Sequence, residues 1–172
     1  MYDREFLDAL VVRNGGGTSL RVPTIPAKEL ETSHVVSFCG ATLQQPHHGV
    51  RQQIRKTHSS VYVSCIKPGS PASVSDLQPT HSITHVNGVP TPNLVCFLRV
   101  VTKIPDNKYF NLNIVTLADV PQPVTMKKDM HYFPIMEYAE DRSEPLGWRV
   151  IKHGYEKGDL KQEQEEEVEA VV

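Results

Sequence analysis

The chain has 172 residues, 39% hydrophobic and 22% charged, enough for one ordinary domain of about 100–150 residues with a remainder and tight for two. Its net charge of −2 is uneven: from Glu156 onward there are seven acidic and two basic residues, a balance of −5, which leaves +3 on residues 1–155. No apolar run reaches the roughly 18–20 residues of a membrane helix and no secretory pattern opens the chain, which predicts an intracellular, soluble protein without a membrane partner.

In chain order, Leu10-Val11-Val12-Arg13 and Ser19-Leu20-Arg21-Val22 flank Asn14-Gly15-Gly16-Gly17. Glycines that accept positive φ predict a β-hairpin over residues 10–25. A lone hairpin is marginal in water, so this one must pack on the rest of the chain or on a domain outside it. The three cysteines, Cys39, Cys65 and Cys96, form no CxxC pair, are odd in number and sit in apolar runs, which predicts buried free thiols in a reducing compartment.

Residues 33–130 follow a regular grammar. Ser60 to Ile66 alternates as a strand and Lys67-Pro68-Gly69 ends it. Ser70 is an N-cap type with Pro71 at the first helical position, so a helix is expected to carry Ala72, Val74 and Leu77 and to close at Pro79. A strand at Ser82–Val86 turns at Asn87-Gly88. Thr91-Pro92 repeats the capping device and opens a helix with Leu94, Phe97, Leu98 and Val101 on one stripe, stopped by Pro105-Asp106-Asn107. A strand from about Tyr109 to Leu117 turns at Asp119-Val120-Pro121 into a last strand near Val124-Thr125-Met126. This closing strand–turn–strand echoes residues 10–25, the trace of a repeat. Residues 155–172 offer too little apolar surface to repay ordering and read as a disordered acidic tail.

Four stretches in this order, Phe38-Cys39-Gly40-Ala41, Val61 through Ala72, Ile83 through Gly88 and the capped helix from Thr91, resemble the PDZ domains of HtrA/DegP-type serine proteases. Pro46-His47-His48 with Val50–Gln53, Ile104–Asn107 and His131–Pro134 narrow the likeness to the fungal nuclear branch implicated in apoptosis, over about residues 8–152. One departure is Leu77-Gln78-Pro79-Thr80-His81, where many such domains carry Gly-Asp after the proline step. Others are Cys39 and Ala41 in place of larger apolar residues.

The resemblance implies an α+β, PDZ-like fold: a partly open antiparallel β-barrel or sandwich of five to six strands capped by two helices. It divides the chain into a trailing hairpin of a preceding repeat (1–32), the PDZ-like domain (33–130), a C-terminal extension (131–154) and the tail (155–172). It also implies a peptide-binding groove, in which an incoming strand adds to the sheet edge at Ala41-Thr42-Leu43 while the loop Phe38-Cys39-Gly40-Ala41 offers its N–H groups to a terminal carboxylate. Asn93, Phe97 and Val101 would form the opposite wall, and Gly40 would leave room for the carboxylate.

Implied partners are C-terminal or extended peptides and the adjacent PDZ and protease domains of a parent protein. The alternative is a structural or assembly domain with a vestigial groove. A further reading has Ala170-Val171-Val172 docking in a groove of its own kind. Nuclear localisation follows from the resemblance alone.

No cofactor is expected, since neither a phosphate-cradling glycine loop nor a Walker-type lysine occurs. The eight histidines lack metal-ligand spacing. Arg51, Arg55 and Lys56 lack the aromatic interleaving of a nucleic-acid site and read as a solvated helix face. Gly69-Ser70-Pro71 lacks the surroundings of an oxyanion hole, so Ser70 reads as a helix cap and not a nucleophile, and this segment as non-catalytic; the resemblance implies that a protease domain lies N-terminal to it.

Overall fold

The hairpin predicted near the N-terminus forms in full, and earlier than expected. Strand β1 (Phe6–Arg13) pairs with β2 (Gly16–Pro23) around Asn14-Gly15, both at positive φ. The computed structural model describes residues 5–26, 30–53 and 58–154. The chain divides into two units, Met1–Glu31 and Thr32–Val172. The predicted disorder of 155–172 and the suggested docking of Ala170-Val171-Val172 lie outside the described residues. On one face of the hairpin stand Leu7 opposite Val22, Ala9 opposite Leu20 and Val11 opposite Thr18. Leu7, Leu20 and Val22 are about half exposed.

The second unit is built on one antiparallel sheet. Its strands are β3 (His34–Phe38), β4 (Ala41–Gln44), β5 (Tyr62–Ile66), β6 (Ser82–Val86), β7 (Val89–Pro90), β8 (Tyr109–Val115), β9 (Pro121–Lys127), β10 (Ile135–Glu140) and β11 (Trp148–His153). They run in the order β11-β10-β3-β4-β5-β6-β8-β9, with β7 on β6. The fold is PDZ-like and mostly antiparallel, but two details of the expectation change. The path is open, with β11 and β9 at its ends, so no barrel closes. Nine strands replace five to six, counting the short β7 and two from residues 131–154, where β10 pairs with β3 and brings β11 with it. Three helical segments are present among the described residues, α1 (His48–Gln53), α2 (Pro71–Val74) and α3 (Leu94–Val101).

Alternation makes the core. Phe110, Leu112 and Ile114 of β8 and Val124 and Met126 of β9 point inward, while Tyr109, Asn111, Thr125 and Lys127 point outward. The inward set meets Phe97, Leu98 and Val101 of α3 and Val36, Phe38 and Leu43 of the β3–β4 hairpin in one buried cluster.

Helix α2 starts as predicted, with Ser70 Oγ accepting from the Ser73 N–H at 3.3 Å, but ends at Val74. Leu77 is buried beyond it. Helix α3 is capped by Asn93, not Thr91: Asn93 Oδ1 accepts from the Cys96 N–H at 2.9 Å. Thr91 is two residues too early and entirely buried.

Three polar features hold this frame. Lys128, in a Lys-Lys pair that looks solvent-facing, is buried and donates from Nζ to the carbonyls of Val101 (2.9 Å) and Ile104 (2.6 Å) at the end of α3. Burial lowers its pKa, and the helix C-terminal carbonyls welcome the cation. In the Leu77–His81 turn Thr80 adopts φ 79, and the turn is closed by the Gln78 N–H donating to His81 Nδ1 at 3.1 Å. Finally, Glu137 of β10 bridges His34 of β3 (2.8 Å) and His153 of β11 (2.7 Å). Burial alone would raise the Glu137 pKa, but the hydrogen bonds from His153 and His34 outweigh it and hold the carboxyl below the usual glutamate range.

Two outcomes follow from these geometries. Thr80→Gly relieves a β-branched residue of left-handed backbone and should stabilise the domain by about 1 kcal/mol in urea unfolding. Because the folded pKa of Glu137 is lowered, its contribution is present above the usual glutamate range and disappears as pH falls through the folded value. Glu137→Gln should therefore cost about 1–2 kcal/mol near neutrality. The gap to the parent in thermal melts should narrow as pH falls below the usual glutamate range and close beneath the lowered folded pKa.

Candidate peptide-binding site

The turn between β3 and β4 decides what the strand after it can do. Cys39 and Gly40 both have positive φ, 49° and 82°, the pattern of the tight turn that joins antiparallel strands through two residues. Phe38 stands directly opposite Ala41. The carbonyls of the turn are taken, Gly40 O by the Lys67 N–H (2.8 Å) and Cys39 O by the Ala72 N–H (3.0 Å). A Cβ on Gly40 would lie 2.1 Å from Ser70 Cβ and 2.4 Å from Ser70 Oγ. The backbone angle and the closeness of Ser70 each require the glycine.

Strand β4 has no open edge. Residues Val35–Phe38 pair along one side of it, and β5 pairs along the other. The expectation that Ala41-Thr42-Leu43 offers a free edge is corrected here: the residues before the turn fold back onto that edge, and β10 covers them in turn.

Phe38 fills the space beside α3, its ring centroid 5.4 Å from Phe97 in an edge-to-face contact and 5.5 Å from Phe110. Of the nine residues expected at the groove, Phe38, Cys39, Ala41, Leu43, Phe97 and Val101 come together, but as buried core. Gly40 is the packed turn, Thr42 is half-buried, and Asn93 is exposed and engaged as the α3 cap.

Burial pushes the Cys39 thiol up to about 12, which leaves it neutral and unreactive at ordinary pH. The expectation of three buried thiols holds for Cys39 but not for Cys65, which is exposed at an outward position of β5, while Cys96 is intermediate. Ser70 is wholly buried with its oxygen committed to α2.

The sheet's two outer edges differ. On β9 the Lys128 N–H donates to Lys108 O just past the strand (2.9 Å), so by alternation the odd-numbered N–H positions face outward. Two of those are Pro121 and Pro123, which have no N–H to give, the usual protection of an edge. Strand β11 pairs only with β10 among the described residues and contains no proline.

Residues 29–107 match the PDZ-like domain family. A pro-apoptotic serine protease nma111 of Neosartorya fischeri is 60% identical over 153 residues, 89% of this chain and 15% of that protein. Its namesake from Aspergillus clavatus is 61% identical over the same shares. Residues 29–107 carry a PDZ-like domain, and most of the chain is similar to one part of these fungal serine proteases. The namesake from Phaeosphaeria nodorum is 51% identical across 95% of the chain and 16% of its own length, so the chain spans only about 15% of the curated relatives it matches. Among solved structures, HtrA-type protease AlgW with decapeptide superposes with a TM-score of 0.47 at 11% identity, over 73% of this chain and 41% of that one.

If Gly40 serves Ser70 and not a ligand, Gly40→Ala should destabilise the PDZ-like domain by about 3 kcal/mol or more, from overlap and left-handed strain together. Ser70→Gly in the same chain should recover part of that loss. Equilibrium unfolding of the two single variants and the double variant measures the coupling.

Proposed function

We propose that this chain supplies a non-catalytic interaction and assembly module to a nuclear HtrA-type serine protease, with the peptide slot of its PDZ-like domain held shut by its own strand β3. The observation that carries the reading is the pairing of β4 on both sides. The seating of Phe38 against Phe97 supports it. Recruitment of a C-terminal peptide at Phe38–Leu43, with Asn93, Phe97 and Val101 as the far wall, would require β3 to leave its place first. The structure therefore favours assembly over recruitment at this position.

The hairpin β1–β2 supports the same reading. Its facing pairs Leu7–Val22, Ala9–Leu20 and Val11–Thr18 match, in order and spacing, Phe110–Met126, Leu112–Val124 and Ile114–Gln122 of β8–β9. In β8–β9 that face closes the core. We read residues 1–32 as the closing hairpin of a preceding PDZ-like unit of the full-length protein, its apolar face belonging against that unit's sheet and helix. The acidic remainder and the β10–β11 extension then follow a second copy of the same plan.

A titration of the ¹⁵N-labelled chain with a pool of peptides bearing free C-terminal carboxylates tests the closed slot. Amides of residues 38–43 and 93–101 should stay in place. Saturable shifts confined to those residues would establish recruitment and overturn the reading.

A further inference from the structure

A second concave site is lined by residues that the peptide-slot reading does not use. It is a cleft of about 670 Å³ between the outward face of β8–β9, the end of α2 and the loop from Asp129 to Phe133. Tyr109 and Lys127 face each other across the ladder on its floor, with Thr125 beside them. Tyr132 and Phe133 form one wall, and Lys67 reaches over the Phe133 ring with Nζ 5.7 Å from the centroid.

Tyr109 and Tyr132 are about three-quarters exposed, a large aromatic surface to leave in water beside two cations. Neither Lys67 nor Lys127 has a carboxylate partner among the described residues. The one acid lining the cleft, Asp129, has Oδ1 committed to the N–H groups of His131 and Tyr132, both at 3.0 Å. Two lysines against one carboxylate leave the cleft net cationic, and its tyrosines and Phe133 make it aromatic, which suits an extended acidic segment.

The chain holds such a segment close by. Residues 163–169 read Glu-Gln-Glu-Glu-Glu-Val-Glu. Gly154 lies against the cleft loop, where a Cβ on it would stand 3.0 Å from Met130 Cε, and Met130 adjoins Asp129. Eight residues, 155–162, separate Gly154 from Glu163, a reach of up to about 30 Å. A tether of that length holds the segment at an effective concentration of about millimolar, where weak charge pairing suffices for occupancy.

We infer that the acidic segment 163–169 of this same chain docks in the Lys67–Lys127 cleft as an intramolecular ligand. The docking is electrostatic and reversible, so an acidic segment of another protein would have to displace it. It stands independently of whether the slot beside β4 is closed, and its test reads different amides.

The test uses the full chain, ¹⁵N-labelled, with Glu163, Glu165, Glu166, Glu167 and Glu169 all replaced by Gln, a change that alters no described residue. The amides of Thr125, Lys127 and Tyr132 should shift relative to the parent. The parent should move toward the same positions when NaCl is raised from about 20 mM to about 500 mM, shortening the screening length from about 20 Å to about 4 Å. In a Lys67→Glu, Lys127→Glu double variant, the amides of 163–169 should lose their dependence on salt. Cleft amides that are identical in the parent and the Gln variant overturn the inference. So does a shift that grows with protein concentration, which would assign the cleft to the acidic segment of a second copy.

Discussion

The contact between Gly40 and Ser70 is the constraint on which the rest of the domain depends. With no Cβ at position 40, the β3–β4 turn sits directly on the start of α2. The Lys67 and Ala72 N–H groups then fasten both turn carbonyls. A turn held at three points fixes where β3 goes, and β3 runs back along the edge of β4. Strand β10 pairs on β3 and β11 on β10, so one close approach between two small residues leads to a sheet extended by three strands.

Magnitudes show why this matters for function. Displacing β3 breaks roughly four ladder hydrogen bonds at about 1 kcal/mol net each. It also exposes Phe38, for about another 2–3 kcal/mol. An extended peptide that would bind an open slot at micromolar strength, about −8 kcal/mol, would keep only about 1–2 kcal/mol of that here, weaker than millimolar. Affinity of the ordinary kind is thus cancelled by the chain's own strand, without steric blockade by any foreign element.

Much of the second unit was legible because its signals are local. Asn87-Gly88 takes the two positive φ values of a tight turn, Ser70-Pro71 caps and starts α2, and β8 and β9 alternate as their residues suggest. What failed was nonlocal. The β3–β10 pairing joins positions about a hundred residues apart, and nothing in His34–Phe38 or Ile135–Glu140 names its partner. The groove residues were drawn to the right neighbourhood, but their burial and the pairing of their strand were missed for a related reason. Phe38, Ala41 and Leu43 read alike whether their strand borders a slot or sits inside a sheet, because side-chain alternation reports which face is apolar and is silent on what pairs along the edge. Lys128 carries no local sign of its burial, since only the position of the α3 carbonyls makes a buried lysine favourable. At Thr91 the capping type and the following proline were present, but Asn93 had the free backbone geometry and took the cap.

Closing the slot moves the places where this domain can meet other chains. Of the sheet's two remaining edges, β9 withholds outward donors at Pro121 and Pro123, which disfavours strand addition there. Strand β11 keeps its outward edge, yet its own seat depends on the Glu137 bridge to His34 and His153, which spans the three strands added beyond β4. Recognition through backbone ladders is therefore confined to the part of the sheet held by that carboxylate. Recognition through side chains is offered instead by the outward face of β8–β9, where Lys127 and Tyr109 stand on the strands whose other face closes the core. The same alternation that buries Phe110, Leu112 and Ile114 obliges their neighbours to face outward. A rigid core hairpin thus presents a rigid charged surface, and a family plan built for gripping backbone can turn to gripping charge without any change in its fold.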